Sequence, residues 1–405
     1  MAIDNKDKKV LKSSIEREQN EVACSAECEK IKGSKNLNVP PLRFPEFTEE
    51  WKAEQLDNIA TLSKGIGISK EQLSEDGEPC ILYGELYTKY KSEIIKQVES
   101  KTDINGSKLK RSKANDVIIP CSGETAVDIA TARCVPFDNI LFGGDLNVIS
   151  LHQYDGAFMS YQLNGKRKYD IARVAQGVSI VHLYGEHLKA IKTYNPTLPE
   201  QQKIAKLLSL LDDRIDTQNK IIERYESLIR GIAQNVIRSN KPNVLLSECL
   251  ECSSSTLQES DVCENGTYPV YGANGIVGYL DDYNTEDEAV HIIKDGSGVG
   301  TVSYATGRCS ATGTLNTLQA KDGYLLQYLY YMLKVFNFEP YKTGMAIPHI
   351  YFKDYGKAKI FCPSYTEQLK YVELLSAIDN KLSAEQSILT NLSLQKQYLL
   401  RQMFI

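Results

Sequence analysis

A segment that occurs twice constrains the fold of this chain more than any other feature. Residues 196–212 read PTLPEQQKIAKLLSLLD, and residues 363–379, which lie 167 positions later, read PSYTEQLKYVELLSAID. The first proline, the Glu-Gln pair, the Leu-Leu-Ser run and the final aspartate coincide. A repeat with so long a period indicates two copies of one large unit, so the chain should fold as two related halves.

The repeat continues upstream in a weaker form. At the same offset stand Gly177 and Gly344, His182 and His349, and Tyr184 and Tyr351. Still further upstream an offset of 175 aligns Ser122-Gly123 with Ser297-Gly298 and Arg133-Cys134 with Arg308-Cys309. The second copy is therefore shorter in between, which is typical of a surface loop, because loops accept changes of length at little cost.

Two long helices are predicted over residues 196–240 and 363–405. Their apolar residues recur in alternating steps of four and three, the pattern of a heptad seam. The seam residues are Ile204, Leu208, Leu211, Ile215, Ile222, Leu375, Ile378, Leu382 and Leu389. Gln218 and Glu385 are polar breaks at matching positions, and Lys396 is another. Thr197 with Glu200, and Ser364 with Glu367, fit capping boxes at the two helix starts.

We predict that these helices pack together as an antiparallel coiled coil, since a regular seam needs a helical partner. The alternative is that each helix packs only on its own domain. The remaining residues, 39–195 and 241–362, mix short strands with turns and predict two globular α+β domains related by a pseudo-twofold repeat. Residues 1–38 are polar and charged and predict a mobile tail.

Composition limits the classes of function. The net charge is −5 and the pI is about 5.7, which argues against a strong autonomous DNA binder. We expect a cytoplasmic protein, because no apolar run is long enough for a membrane span and the first residues lack the core of a secretion signal. The ten cysteines are expected to be buried thiols rather than disulfides.

Motifs for cofactor chemistry are weak. Gly296-x-Gly298-x-Gly300 lacks the lysine of a phosphate-binding loop, and Asn195-Pro196-Thr197 is not the tetrad of an amino-methyltransferase. Cys249-x-x-Cys252 with Cys263 has zinc-like spacing only in its first pair, so buried thiols are the preferred interpretation. No catalytic residue, metal ligand or cofactor is assigned to this chain.

Several stretches together carry a resemblance to a known family. They are Val39–Phe47 with Trp51, the Pro-x-x-x-Glu-Gln elements at 196–201 and 363–368, the runs at 207–212 and 374–379, and the final Gln402–Ile405. The chain resembles the DNA specificity subunit of type I restriction–modification enzymes. The resemblance implies two target recognition domains, 39–195 and 241–362, each reading one half of a bipartite DNA site, with the helices as the spacer between them.

The resemblance also implies partners. The family's methyltransferase (modification) subunits bind the helices, and motor–nuclease (restriction) subunits complete the complex. S-adenosylmethionine, ATP and Mg belong to those subunits, and the specificity subunit has no catalytic activity. The alternatives are a stand-alone restriction or methyltransferase enzyme, and a coiled-coil scaffold that binds only protein.

Polar turns and basic clusters are the candidate DNA contacts, because glycine allows close backbone approach and arginine can bind guanine or phosphate. The candidates are Ser122, Gly123, Arg133, Lys166, Arg167, Lys168, Gln176, Ser297, Gly298, Arg308, Lys342 and Thr343. For each of them, a tight turn or a solvated surface charge is the alternative.

Overall fold

The computed structural model describes residues 37–177 and 180–405. The tail predicted over residues 1–38 therefore lies outside the described residues, except for its last two. The chain divides into two compact units. Unit 1 contains the described residues up to Leu210 together with Lys396–Ile405, and unit 2 contains Leu211–Gln395. Each long helix thus contributes residues to both units.

Unit 1 is built from short strands and short helices. Its strands are β1 (Lys52–Gln55), β2 (Ala60–Lys64), β3 (Glu78–Ile81), β4 (Lys101–Thr102), β5 (Lys110–Arg111), β6 (Asp116–Pro120), β7 (Ser122–Gly123), β8 (Arg133–Val135), β9 (Leu141–Phe142), β10 (Leu146–Leu151), β11 (Val181–His182) and β12 (Lys192–Asn195). Its short helices are α1 (Leu56–Ile59), α2 (Glu85–Thr88), α3 (Ala126–Ile129), α4 (Gly156–Asn164), α5 (Lys168–Val174) and α6 (Gly185–Lys189), with 3-10 turns at Lys70–Gln72 and Gly106–Lys108.

The first long helix is α7 (Leu198–Ser239), and the last helix is α11 (Tyr365–Gln402). The strands of unit 2 are β13 (Val244–Leu245), β14 (Leu250–Ser254), β15 (Tyr268–Gly272), β16 (Gly275–Leu280), β17 (Ala289–Ile293), β18 (Val302–Ala305), β19 (Ser310–Ala311), β20 (Leu315–Ala320) and β21 (Lys359–Ile360). Its short helices are α8 (Leu246–Cys249), α9 (Leu326–Leu333) and α10 (Phe352–Tyr355), with 3-10 turns at Glu259–Asp261 and Glu339–Tyr341.

The two units share one sheet topology. A four-stranded antiparallel sheet has the order β2-β10-β6-β8 in unit 1 and β14-β20-β17-β18 in unit 2. The first and last strands of each domain also pair, β1 with β12 and β13 with β21. In the central pairs Pro120 lies opposite Leu146, and Ile293 lies opposite Leu315. The repeat seen in the sequence is therefore a repeat of strand order and register.

The central strands are buried on both faces, which accounts for their continuous apolar sequence. In β6, Val117 and Ile119 face one hydrophobic core, while Ile118 faces a second core with Leu146 and Val148. In unit 2 the sheet face that corresponds to the first core is also apolar. On the opposite face, a polar residue stands at the position of Ile118. By strand register that residue is His291 of β17.

His291 is 1% exposed, and neither ring nitrogen has a hydrogen-bond partner. Its nearest ring neighbour is Tyr271, at 5.2 Å between centroids. Burial lowers the pKa of His291 to about 4, because a charged imidazole would lose its hydration. The second face of this sheet is therefore less apolar in unit 2 than in unit 1.

The start of each long helix is attached to its unit by one matched glutamine. The Gln201 side chain donates to the carbonyl of Pro196 and accepts from the Asp155 amide, at 2.8 and 2.9 Å. Gln368 does the same with Pro363 and Leu325, at 2.9 Å in both cases. The Glu-Gln element of the repeat thus connects helix to domain.

The preceding glutamates differ between the copies. Glu367 accepts bonds from Ser364, as a capping box predicts. Glu200 is instead fully buried, and its carboxylate accepts from Arg43 at 2.6 and 2.7 Å and from the Trp51 indole at 3.3 Å. The prediction that Glu200 completes a capping box with Thr197 is therefore wrong. The Glu200 carboxylate instead binds Arg43 and Trp51, which both belong to residues 39–51 (the arm).

The seam positions are largely buried. Ile204, Leu208, Leu211, Ile222, Leu375 and Leu382 are buried, and Ile215, Ile378 and Leu389 are partly exposed. In unit 2, residues of both helices join the core of the globular domain. Packing on the helix partner and packing on the domain therefore occur together. No helix of the described part of the chain is long and apolar enough to cross a membrane.

Candidate nucleic-acid interface

A small hairpin closes one edge of unit 1. Gln176 and His182 exchange two backbone hydrogen bonds, of 2.8 and 2.6 Å. Gly177 has φ +123°, and a Cβ added to it would lie 2.1 Å from the Ile180 carbonyl oxygen. Only glycine fits such a turn without strain. His182 also pairs with Ser122 of β7, whose hydroxyl lies 3.3 Å from the His182 Nδ1.

The same hairpin occurs in unit 2. Thr343 and His349 exchange backbone bonds of 2.9 and 2.7 Å. Gly344 has φ +88°, and an added Cβ would lie 2.3 Å from the Ile347 carbonyl oxygen. His349 pairs with Asp295, whose carboxylate Oδ1 lies 2.6 Å from the His349 Nδ1. We call residues 176–177 with 180–184, and residues 343–351, the matched hairpins.

Their surfaces also match. Both hairpins follow the pattern Gly-x-x-Ile-x-His-x-Tyr, with identical residues 167 positions apart. The isoleucines Ile180 and Ile347 are 60% and 58% exposed, and the tyrosines Tyr184 and Tyr351 are 49% and 47% exposed. Exposed apolar side chains at equal positions in two units indicate a contact surface used twice.

Four of the predicted DNA contacts lie at these hairpins. In unit 1 the structure brings together Ser122, Gly123 and Gln176, and in unit 2 it places Thr343 at the hairpin closure. Ser297 and Gly298 follow a turn at Gly296, whose amide donates to the Pro348 carbonyl of the hairpin at 3.0 Å. Lys342 precedes Thr343, and its ammonium pairs with Glu339 at 2.6 Å.

The strand register corrects the offset of 175. That offset makes Ser297 the counterpart of Ser122. In the structure, however, Ser122 lies opposite His182, and Asp295 lies opposite His349. Because His182 and His349 are counterparts, Asp295 is the structural counterpart of Ser122, and the coincidence of two Ser-Gly pairs is accidental.

Arg133 and Arg167 are used within unit 1. The Arg133 guanidinium is buried and donates to the carbonyls of Tyr90 and Ala132, at 2.8 and 2.9 Å. Arg167 donates to the Ile405 carbonyl at 2.8 Å. Both side chains therefore stabilise the fold in this structure, and a role for them in DNA binding stays a prediction.

The remaining basic candidates have different surroundings. Lys166 is exposed, and the pKa of its ammonium is lowered by partial desolvation and then by the charges of Arg167 and Arg401. Lys168 is the first residue of α5. Neither lies in a matched hairpin, and their contacts with DNA stay predictions.

Arg308 stands in an acidic region. Residues 242–293 contain ten Asp or Glu and no Lys or Arg. The Arg308 guanidinium pairs with Glu286 at 3.1 Å and lies over the Tyr283 ring at 4.8 Å. The Arg308 guanidinium is therefore already paired with a carboxylate of unit 2, and its contact with DNA stays a prediction.

Several residues of this candidate site are absent from the DNA contacts proposed on sequence alone. Asp295 was hidden by the mistaken offset. Ile180 and Ile347 carried a signal in the sequence, since they are identical at the offset of 167, as are Tyr184 and Tyr351.

The cysteines do not form a metal site in the part of the chain that the structure describes. Cys249 is buried at the end of α8, and Cys263 is exposed. Burial raises the pKa of the Cys249 thiol to about 12, which opposes the thiolate that a metal needs. Within residues 37–177 and 180–405, no three His, Cys, Asp or Glu side chains are grouped as metal ligands.

Comparison with known proteins identifies the repeat. The family model described as the type I restriction modification DNA specificity domain matches residues 48–227 and again residues 246–393. A Mycoplasma genitalium protein described as a type I specificity subunit is 24% identical over 283 residues, which is 64% of this chain and 73% of that protein. The EcoprrI specificity subunit of Escherichia coli is 27% identical over 29% of each chain.

Solved structures support the same fold. The crystal structure of a type I restriction–modification S subunit from M. genitalium matches 91% of this chain and 99% of its own chain, with a TM-score of 0.62 and 20% identity. A chain from a study of complex assembly in the type I system matches 90% of this chain and 99% of its own, with a TM-score of 0.50 and 16% identity. The resemblance drawn from the sequence is confirmed, and the chain belongs to the family of type I restriction–modification specificity subunits.

Proposed function

We propose that this chain is the non-catalytic sequence-reading subunit of a type I restriction–modification complex. Each globular domain reads one half of a bipartite site in double-stranded DNA. The two long helices set the gap between the halves and bind the methyltransferase subunits. The observation that carries this proposal is the double match to the specificity domain, over residues 48–227 and again over residues 246–393.

The helices act as a spacer by packing as an antiparallel coiled coil. Three contacts support this direction. Ile204 shares a hydrophobic cluster with Met403 in unit 1. In unit 2, Gln218 bonds to Glu385, and Ile229 and Leu382 line one groove. As α7 advances along the chain, its neighbours on α11 therefore move backward. At about 1.5 Å per residue, α7 is roughly 60 Å long, which spans more than one turn of DNA.

The outer surface of the helices is the proposed docking site for methyltransferase subunits. Exposed apolar residues recur along it, where a helix with no further partner would be polar. They are Leu210, Leu228, Leu374, Ile388, Leu394 and Tyr398. Isolated exposed apolar residues are common, and their repetition along both helices supports a protein interface.

Reaction chemistry is assigned to the partners. The methyltransferase subunits supply S-adenosylmethionine-dependent methylation, and motor–nuclease subunits supply ATP- and Mg-dependent translocation and cleavage. The specificity subunit holds no cofactor of its own and works in the cytoplasm with the rest of the complex. Its acidic balance is compatible with this role if the partners share the phosphate contacts while this chain contacts base edges.

Methylome sequencing tests the proposal. Cells that express this chain with a cognate modification subunit should methylate adenines within a split motif that has a fixed gap. Replacing residues 41–195 with the corresponding domain of another specificity subunit should change one half-site and leave the other half-site and the gap unaltered. A swap that left both half-sites unchanged would contradict the two-reader proposal.

Two alternatives give different results. If the purified chain alone methylated DNA, it would be an enzyme in its own right. If the assembled complex bound random and specific DNA equally, the chain would be a scaffold. The double family match favours neither alternative.

A further inference from the structure

The two domains must read different sequences with the same backbone frame. The matched hairpins are identical at Gly, Ile, His and Tyr. Residues that are identical in two readers cannot distinguish two half-sites. A side chain that differs between the units while its surroundings stay the same can distinguish them.

Ser122 and Asp295 meet this condition. Each is the strand partner of the hairpin histidine, and each places an oxygen within hydrogen-bond reach of that histidine's Nδ1, at 3.3 and 2.6 Å. Each is followed by a glycine, Gly123 or Gly296. The same position therefore carries a hydroxyl in unit 1 and a carboxylate in unit 2.

Both side chains are open to an approaching ligand. Ser122, Asp295 and their histidines are partly exposed. Nothing lies within 4 Å of the place of a Cβ on Gly296, whereas a Cβ on Gly123 would lie 3.0 Å from the Tyr87 hydroxyl, so the space beside the backbone is larger in unit 2. The exposed Ile and Tyr of each hairpin stand two residues before and two residues after its histidine in the sequence. Residues 176–184 and 343–351 contain no Lys or Arg, but Lys342 precedes the second hairpin and pairs with Glu339, and the Lys353 ammonium lies 5.2 Å from the centre of the Tyr351 ring. The carboxylate of Asp295 repels a phosphate, so this side chain suits a base edge better.

We propose that Ser122 and Asp295 are specificity-determining residues, each contacting a base edge in its own half-site. This inference rests on the proposed function and goes further by naming the reading atoms. A carboxylate only accepts, so Asp295 receives a hydrogen bond from an exocyclic amine, N4 of cytosine or N6 of adenine. The Ser122 hydroxyl can donate or accept.

The histidine is then a positioning residue. Its Nδ1–H donates to the Asp295 carboxylate and fixes one oxygen, which leaves the other oxygen for the base. In unit 1 the imidazole orients the Ser122 hydroxyl in the same way. The same backbone and histidine therefore hold a hydroxyl in one domain and a carboxylate in the other.

Asp295→Asn tests the assignment with little change of shape. The amide oxygen can still accept from His349, while the amide nitrogen places donors against the amine of the base. We expect the complex with modification subunits to lose its preference at one base pair of one half-site by about tenfold or more. The measurement is competition binding with duplexes that each carry one altered base pair. Asp287→Asn, an exposed carboxylate away from the hairpin, should leave every preference unchanged.

Asp295→Ser is the second variant, since it installs the residue that unit 1 carries. It gives the same readout if Asp295→Asn fails to assemble. Unchanged preferences in an assembled variant, or an equal weakening at all positions, would overturn the inference. Failure of both variants to fold would show that the carboxylate is purely structural and would also overturn it. If the wild-type complex recognised no split site, the proposed function itself would fail.

Discussion

Gln218 donates its side-chain amide to the backbone carbonyl of Glu385 at 3.0 Å, and it also contacts the Glu385 carboxylate. The two residues are 167 positions apart, so Gln218 contacts its own counterpart in the second copy of the repeat. In a twofold arrangement, only residues on the axis meet their counterparts. This contact is therefore the most direct support for the antiparallel pairing that we propose.

Replacing both seam residues tests whether this pair sets the helix register. Gln218→Leu with Glu385→Leu should raise the free energy of unfolding by about 1 kcal/mol, because Gln218 is buried, Glu385 is partly buried, and a desolvated polar pair costs more than apolar packing. In the double variant, α7 and α11 should also lose their single register, so the complex should methylate split sites with more than one gap length. Thermal unfolding and methylome sequencing measure the two effects. Gln397→Leu, on an exposed part of α11, is the control, and an unchanged gap would count against the register role.

Glu200 and Glu367 form a matched pair for a second test. Glu200→Gln should lower the free energy of unfolding by about 3 kcal/mol, because the Arg43 guanidinium, with 10% of its side chain exposed, loses its carboxylate. Glu367→Gln, at the exposed counterpart, should cost well under about 1 kcal/mol. Urea unfolding of both variants gives the comparison. Equal losses would mean that the buried pair with Arg43 adds nothing.

His291 should make the stability of unit 2 depend on pH. Its folded pKa of about 4 lies below the ordinary value of 6.5, so the unfolded chain binds a proton that the folded chain excludes. Stability is therefore fully present above about pH 6.5 and falls as the pH drops toward 4, by up to about 3 kcal/mol. His291→Ile, which installs the unit 1 residue, should flatten this dependence. Melting curves between pH 7 and pH 5 check it, and an unchanged slope would refute the assignment to His291.

Gly344 should be required for the shape of its hairpin. Gly344→Ala forces a Cβ to within 2.3 Å of the Ile347 carbonyl oxygen at a positive φ, which costs about 1–3 kcal/mol. We expect weaker DNA binding by the complex for every sequence, rather than altered specificity. Gly231→Ala, in the open middle of α7, should instead stabilise by about 0.5–1 kcal/mol. Wild-type affinity in Gly344→Ala would show that the hairpin does not contact DNA.

The long helices could be predicted because their signal is redundant. Nine seam positions over many turns agree on one period, and the helices in the structure begin at Leu198 and Tyr365, two residues after the predicted starts. The capping glutamate was less predictable, because one carboxylate has several partners to choose from. Glu200 binds Arg43, which lies 157 residues away, and no local pattern reports such a contact.

The candidate site was also only partly predictable, because some of its contacts depend on residues that are distant in the sequence. Gln176 and Thr343 were proposed because they stand beside Gly177 and Gly344, which the turns require, and Ser122 was proposed because it precedes Gly123; their contact with DNA stays a prediction. Asp295 was missed because its importance depends on the strand opposite, and strands as short as β7 and β11, of two residues each, have no periodicity to read. The register of such strands is set by the partner across the sheet.

The pairing of β1 with β12 has a consequence for how such genes change. Lys52 lies opposite Asn195, so the chain enters and leaves the first globular domain at neighbouring points of one small sheet. Val244 and Ile360 do the same for the second domain. An exchange of the gene segment between two such points replaces a whole globular domain and leaves the helix sequences intact. Under the proposed function, one such exchange would therefore bring in a complete new half-site specificity.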